Sequence, residues 1–252
     1  MHDIDSHDAY ENPACPLCDK PGQSYFRMGE YDIDRCPDCN FIYVRNIPSD
    51  NGLADCYRAF CGPNADEYVP ERRWHKKLKN WWFAQRIKQL ARGRGRVLEI
   101  GYAHGNLMKA LHREPALEAE GIDYAEGPLK HLRSVGLRVT VSSLEGMRYP
   151  AESFDVIVGL HVLEHVHNPL RFMREVHRVL KRGGRIYFQV PCPTCWRARI
   201  AGKAWKSYGP PWHLWYFSPR SMRVFLQKCG FRVMSAHCFS HRAHLTVAAE
   251  KN

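Results

Sequence analysis

Val97-Leu98-Glu99-Ile100-Gly101-Tyr102-Ala103-His104-Gly105 decides the fold. Its apolar start reads as a fully buried strand, and a helix over 104–113 follows the glycine turn without a break. Glycines at 101 and 105 let a ligand approach the backbone at a helix start, where free N–H groups point outward. Taken alone the pattern is also that of a structural turn or of a dinucleotide fold. About twenty residues on, Gly121-Ile122-Asp123-Tyr124 ends a second expected strand. Its carboxylate stands where ribose hydroxyls would be accepted, and a strand-end cap is the alternative.

Strand and helix patterns alternate from Arg96 onward, which predicts a parallel sheet covered on both faces. Strands are expected near 96–101, 118–123, 137–142, 154–160 and 184–190, with the last two near 231–238 and 243–250. A helix is expected over 170–180, closed by Gly183-Gly184 as a C-terminal glycine signal.

The runs VLEIGYAHG (97–105), GIDYAEGPLKHL (121–132), SFDVIVGLHVLEHV (153–166), VLKRGGRIYFQVP (179–191) and HLWYFSPRSMRVFLQKCGF (213–231) together resemble the class I S-adenosylmethionine (SAM)-dependent methyltransferases. The likeness covers roughly residues 94–252. It implies a Rossmann-like α/β fold, a seven-stranded, mostly parallel sheet in the order 3-2-1-4-5-7-6. The cleft then lies at the carboxyl ends of the strands, where the order switches. By the same resemblance Glu99 and Gly101 line the methionine end of SAM, Gly105 opens the helix, Asp123 holds the ribose and Tyr124 covers the adenine. Ser143-Leu144 replaces the family's common Asp-Ala, and Ser143 bonds the adenine edge. Tyr102 stands where the family has a small residue, and Leu160 borders the same cleft. The expected cofactor set is thus Glu99, Gly101, Tyr102, Gly105, Asp123, Tyr124, Ser143, Leu144 and Leu160.

Leu160-His161-Val162-Leu163-Glu164-His165 closes the fourth expected strand, and in a helical turn positions i, i+3 and i+4 share a face. His213, in the run Trp212-His213-Leu214-Trp215, belongs to a family segment whose histidine approaches the same cleft. Three readings stand side by side. His161, His165 or His213 is a general base for an acceptor hydroxyl. Alternatively His161, Glu164, His165 and His213 hold a second divalent metal that polarises the acceptor. That set resembles the E-x-x-E-H sites of small-RNA 2′-O-methyltransferases and ubiquinone-pathway O-methyltransferases, with His161 replacing the first glutamate. In the third reading the stretch only shapes the cofactor pocket.

Cys15-Pro16-Leu17-Cys18 and Cys36-Pro37-Asp38-Cys39 are two C-x2-C turns separated by seventeen residues. Four thiolates so spaced complete a closed, structural zinc tetrahedron on a short hairpin, with free or redox thiols as the alternative. A segment with so small a core needs metal to fold. The expected organisation is a zinc ribbon over 10–46, a connector over 47–94 and the methyltransferase domain over 95–252. Cys229 and Cys238 read as core positions, and Cys192-Pro193-Thr194-Cys195 is a further C-x2-C without a second pair beside it. Cys56 and Cys61 flank an aromatic stretch of the connector. Its first half is punctuated by Pro48, Gly52, Gly62, Pro63 and Pro70, and from Glu71 it turns helical. Trp74, Leu78, Trp81 and Trp82 share one face, with Phe83, Ile87 and Leu90 beside it, and the basic helix is expected to pack on its own domain.

The chain has 252 residues and a net charge of +11. That balance favours phosphate-bearing partners, whether nucleotide-linked substrates or nucleic acid. The first twenty residues carry no apolar leader run and no stretch reaches membrane-span length, so a cytoplasmic protein is expected, its ten cysteines thiols or metal ligands rather than disulfides. Between Pro191 and Pro211 an insertion mixes Arg197, Arg199, Lys203 and Lys206 with Trp196, Trp205 and Tyr208. Cations interleaved with aromatics stack bases or sugars and neutralise phosphates. A ribbon before such a domain resembles bacterial sugar and secondary-metabolite methyltransferases, nucleotide-sugar C-methyltransferases among them. The resemblance therefore implies methylation, at O or C, of a small hydroxylated acceptor. RNA methylation is the first alternative, although no N-P-P-[YF] tetrapeptide is present, and a non-catalytic SAM-binding module is the second.

Overall fold

The computed structural model describes residues 10–11, 14–47, 73–124, 129–238 and 243–252. Cys56, Cys61 and the expected loop over 48–70 lie outside the described residues.

The amino-terminal part begins with β1 (Tyr10–Glu11), then β2 (Gln23–Met28), β3 (Tyr31–Arg35), β4 (Ile42–Val44) and β5 (Asn46–Ile47). β2, β3 and β4 form an antiparallel meander, and β1 pairs with β5. The two cysteine turns are built alike. Asp19 donates its N–H to the carbonyl of Cys15, Asn40 donates to that of Cys36, and both residues have positive φ (57° and 58°). Asp and Asn are the non-glycine residues that tolerate this left-handed backbone best, so each C-P-x-C is closed by a residue suited to it.

The body follows: α1 (Trp74–Leu90), β6 (Gly95–Ile100), α2 (Asn106–His112), β7 (Leu117–Asp123), α3 (Leu129–Ser134), β8 (Arg138–Val141), β9 (Phe154–Leu160), α4 (Pro169–Val179), β10 (Leu180–Pro191), α5 (Trp196–Ala201), β11 (Trp215–Tyr216), α6 (Pro219–Lys228), β12 (Phe231–Cys238) and β13 (His244–Lys251). Seven of these strands make one sheet in the order β12-β13-β10-β9-β6-β7-β8. β13 alone runs against its neighbours. This is the 3-2-1-4-5-7-6 order expected from the sequence.

Alternate residues along the strands face opposite layers. Val97, Val156, Val158 and Tyr187 pack with Phe83, Ala84, Ile87 and Leu90 of α1 and Leu107, Met108 and Leu111 of α2. Leu98, Ile100, Ile157 and Phe188 face the other layer with Phe172, Met173 and Val176 of α4 and Phe225 and Leu226 of α6. That second core runs without a break into the ribbon, through Phe41, Tyr43, Trp215 and Phe217.

Three local expectations are corrected. Helix α1 packs, but not by its tryptophan face: Trp74, Leu78, Trp81 and Trp82 are each more than half exposed, and the seam is Phe83, Ala84, Ile87 and Leu90. Gly183-Gly184 does not cap α4. The helix ends at Val179, and the glycines lie in a bulge where the register of β10 on β9 shifts between Leu180 and Arg185. Gly183 has φ +66°, and a Cβ on Gly184 would meet the Lys181 carbonyl at 2.8 Å. Finally, Cys192 and Cys238 form a disulfide between the carboxyl ends of β10 and β12, so not every cysteine is a thiol or a metal ligand. Cys195 remains a buried thiol, and its sulfur accepts the Ala198 amide at the start of α5.

Candidate active site

The chain runs from β6 outward to β7 and β8, then returns to β9 on the other side of β6. The carboxyl ends of β6, β7, β9 and β10 therefore meet at the switch point, where open α/β sheets bind ligands.

On the first side of that point the backbone is bare by necessity. Gly101 has φ +76°, and a Cβ there would lie 2.6 Å from the Val162 side chain. Gly105 has φ +67°, and its Cβ would lie 2.6 Å from Leu132. Ala103 between them also has positive φ, 45°, and its N–H donates to the Asp123 carboxylate at 2.8 Å. Strained non-glycine backbone of this kind persists only where its surroundings hold it, and here Asp123 does so. Beneath the turn Glu99 is almost fully buried, and its Oε2 has no hydrogen-bond partner. Burial first, and the Asp123 charge second, push its carboxyl up to about 8, against the pull of the Met108 amide. A glycine cradle that no Cβ can enter, a buried carboxyl oxygen without a partner and a second carboxylate at the adjoining strand end fit a cofactor with a cationic amino-acid end and a ribose.

The remaining expected cofactor residues fall into two groups. Leu144 is buried, Leu160 ends β9, and Ser143 accepts the Gly146 amide at 2.8 Å, leaving its hydroxyl proton for another acceptor. Tyr124 is 70% exposed just beyond β7. Tyr102 turns inward instead. Its ring is buried with Leu107 and Met108, so that what it brings to the turn is backbone, its carbonyl accepting the Gly105 amide at 2.7 Å.

On the other side, Leu160 hands over to His161, which has φ +61° and donates its N–H to the Gln189 carbonyl of β10. The following residues form a hydrogen-bonded turn, His165 N–H to Val162 carbonyl at 2.9 Å, rather than a helical turn. His161 Nδ1 lies 2.9 Å from Glu164 Oε1, while Oε2 of the fully buried Glu164 has no partner. Burial opposes the charge on Glu164, but the His161 hydrogen bond and the charges of His161 and His165 outweigh it and hold the carboxyl below its usual value.

His165 Nδ1 is 2.6 Å from the Trp212 carbonyl and His213 Nδ1 is 2.7 Å from the Ser207 carbonyl. A carbonyl only accepts, so both rings carry a proton on Nδ1, and in the neutral ring Nε2 is the acceptor. Burial, joined by the charge of His213, lowers the His165 imidazole, and Glu164 pulls the other way without reversing it. The His165 and His213 rings stand 4.8 Å apart, and ligand atoms of Glu164, His165 and His213 lie within 4.8 Å of one another. His161 pairs with Glu164 but stands outside that trio. Nothing in the sequence marks the two carbonyls that fix the tautomers, nor His244, whose ring lies 4.7 Å from that of His161.

The four ribbon cysteines also converge. Cys15 and Cys39 sulfurs are 3.6 Å apart, Cys18 and Cys36 3.4 Å, and Cys18 and Cys39 3.9 Å. Those separations match the edge of about 3.8 Å of a tetrahedron with 2.3 Å metal–sulfur bonds. Burial pushes the Cys15 and Cys39 thiols up, and a bound cation would offset that cost. The donor set fits zinc.

Residues 65–236 match the family described as a methyltransferase domain. A stretch of 95 residues is 37% identical to the ubiquinone biosynthesis O-methyltransferase of Ruegeria pomeroyi, covering 35% of this chain and 38% of that protein. A probable SAM-dependent methyltransferase of Mycolicibacterium smegmatis is 32% identical over 121 residues, 45% of this chain and 46% of that one. The chain thus spans less than half the length of these curated relatives. Among solved structures, the 1,6-didemethyltoxoflavin-N1-methyltransferase of Burkholderia thailandensis superposes with a TM-score of 0.60 at 16% identity, covering 91% of this chain and 99% of that one. The [4+2]-cyclase SpnF gives 0.62 at 14% identity, covering 81% and 97%. Likeness at that identity carries the fold alone, and this fold hosts more than one chemistry. The match over 65–236 carries more: the chain belongs to the SAM-dependent methyltransferases.

Proposed function

We propose that this enzyme methylates a hydroxyl of a small acceptor, a sugar, a nucleotide-linked sugar or a secondary metabolite, with His213 as general base. One observation carries the reading: the Ser207 carbonyl fixes the Nδ1 proton of His213 and leaves Nε2 as an acceptor beside His165 and Glu164. SAM supplies an electrophilic methyl group, so the protein's own work is to hold the acceptor oxygen in line and take its proton. His165, its imidazole lowered by burial, stays neutral near pH 7 and accepts rather than donates at Nε2. Glu99, Gly101, Gly105 and Asp123 hold the cofactor. The ubiquinone-pathway relative, named for an O-methylation, supports an oxygen acceptor.

A second reading rests on a different observation. Glu164 Oε2 is buried without a partner, and both histidines beside it are anchored through Nδ1, the outer-sphere pattern of metal-binding imidazoles. In that reading Glu164, His165 and His213 hold a divalent ion that polarises the acceptor. The deciding experiment incubates the enzyme and radiolabelled SAM with separate metabolite and RNA pools, with and without chelator. Label in the metabolite pool that survives chelation supports the base. Chelator-sensitive label supports the ion, and label confined to RNA overturns the small-acceptor reading.

A further inference from the structure

A cleft of about 650 Å³ opens between the ribbon and the segment after β10. Tyr25 and Arg35 line it from β2 and β3, Asn40 from the second cysteine turn, Arg199 from α5, Tyr208 from the loop that follows, and Arg220 from the start of α6. Its lining includes three arginines and no acidic residue. Arg199 and Arg220 form no salt bridge among the described residues, whereas Arg35 donates to Asn40 Oδ1 at 2.8 Å and lies 5.8 Å from the centre of the Tyr25 ring. One cation is therefore held in place without being neutralised, and two more arginines without an anionic partner border the same space.

The rest of the insertion is not a loose basic strap. Trp205 and Tyr208 are buried, and Tyr208 packs edge-on against Phe26 of β2 at 5.0 Å and Tyr216 of β11 at 4.8 Å. That packing fixes the walls. It also joins the cleft to the chemistry, because the neighbour of Tyr208 is Ser207, whose carbonyl orients His213.

We infer that this cleft holds the phosphate-bearing end of the acceptor, a diphosphate gripped by Arg35, Arg199 and Arg220 with the attached sugar or nucleoside beside Tyr25. The inference rests on the small-acceptor reading above and deepens it. Guanidinium forks match phosphate oxygens bidentately, and a space of this size takes a diphosphate with a ring attached. Walls drawn from three separate segments enclose a compact anion, whereas a polynucleotide backbone is met by an open basic stripe.

The test titrates the full chain with inorganic pyrophosphate, with uridine diphosphate and with a single-stranded RNA oligonucleotide, following SAM affinity in parallel. Both small probes are expected to bind, and the double variant Arg199→Ala/Arg220→Ala to weaken them at least about tenfold with SAM affinity unchanged. Arg35 is left intact because it adjoins Cys36. Arg199→Lys keeps the charge but loses the fork, and should fall between wild type and the double variant. The inference is overturned if neither probe binds at millimolar concentration, if the double variant binds them as well as wild type, or if RNA occupies the arginines and uridine diphosphate cannot displace it. Methyl transfer to an unphosphorylated metabolite by a protein that ignores both probes would remove the inference and leave the small-acceptor reading standing. Probe binding by a protein that labels only RNA would remove the small-acceptor reading and the inference with it, leaving a bare anion site.

Discussion

Val44 donates its backbone N–H to the carbonyl of Leu214 at 3.0 Å, and this bond ties the ribbon to the segment that carries His213. Leu214 in turn donates to the carbonyl of Glu164 at 2.9 Å. Just beyond, β11 completes the ribbon sheet, with Trp215 opposite Tyr43 and Tyr216 opposite Ile42. The cysteine cluster therefore stands behind a strand that begins two residues after the proposed base, His213.

Removing the metal should then be felt in catalysis. Purified protein is expected to hold about one zinc per chain. Stripping it, or substituting Cys36→Ser, should expose the amides of 213–217 to faster hydrogen exchange. A displacement of about 1 Å at His213 is enough to lower kcat by ~10²-fold while SAM affinity is kept. Unchanged exchange over 213–217 in metal-free protein would show that the ribbon does not brace the site.

His213→Ala should lower kcat by roughly 10²–10⁴-fold with little change in SAM affinity, as expected for a lost proton transfer. Steady-state kinetics of wild type and variant on the same acceptor, with and without a chelator, check this. A His213→Ala enzyme of near-normal kcat removes this residue from the mechanism.

Glu99 sets a pH dependence of stability. Burial and the Asp123 charge raise its carboxyl from 4.5 to about 8, so the folded protein keeps it protonated where the unfolded chain has already released the proton. Its contribution to stability is complete below about pH 4.5 and is lost as pH rises through about 8. Glu99→Gln, which cannot ionise, should therefore gain in melting temperature relative to wild type as pH is raised from 5 to 8.5. Thermal melts of the two proteins in cofactor-free buffer test this, and parallel curves at every pH would refute it.

The sheet was legible because its central strands carry short apolar runs bounded by turn residues, and the cysteine turns because two C-x2-C pairs stand seventeen residues apart. β11 was not. Two residues inside an aromatic run carry no periodicity, and their partners, Ile42 and Tyr43, lie far away in sequence. The exposed face of α1 misled for a related reason: Trp74, Leu78, Trp81 and Trp82 have helical spacing, but so does the Phe83–Ile87–Leu90 seam, and only packing chooses between them. The Cys192–Cys238 disulfide pairs residues 46 apart that no local spacing connects. The site divides in the same way. Its side chains were readable from H-x-x-E-H and a distant histidine, whereas the carbonyls of Ser207 and Trp212 that set their tautomers are backbone and leave no mark on the sequence.

The tightest test of the cofactor half concerns Asp123, which here has two tasks. It is placed to accept from a ribose, and it already holds the strained Ala103 amide at 2.8 Å. Asp123→Ala removes both and should weaken SAM binding by roughly 1.5–3 kcal/mol, the range for a hydrogen bond to a charged group. Asp123→Asn keeps an oxygen for Ala103 but loses the charge, so its affinity should fall between the two. Gly101→Val places a side chain where even a Cβ would lie 2.6 Å from Val162, at φ +76°, and should abolish binding. Calorimetric titration of SAM into the three variants distinguishes these outcomes. Wild-type affinity in both Asp123→Ala and Gly101→Val would place the cofactor elsewhere, and equal losses in Asp123→Ala and Asp123→Asn would assign the effect to charge alone rather than to the Ala103 turn.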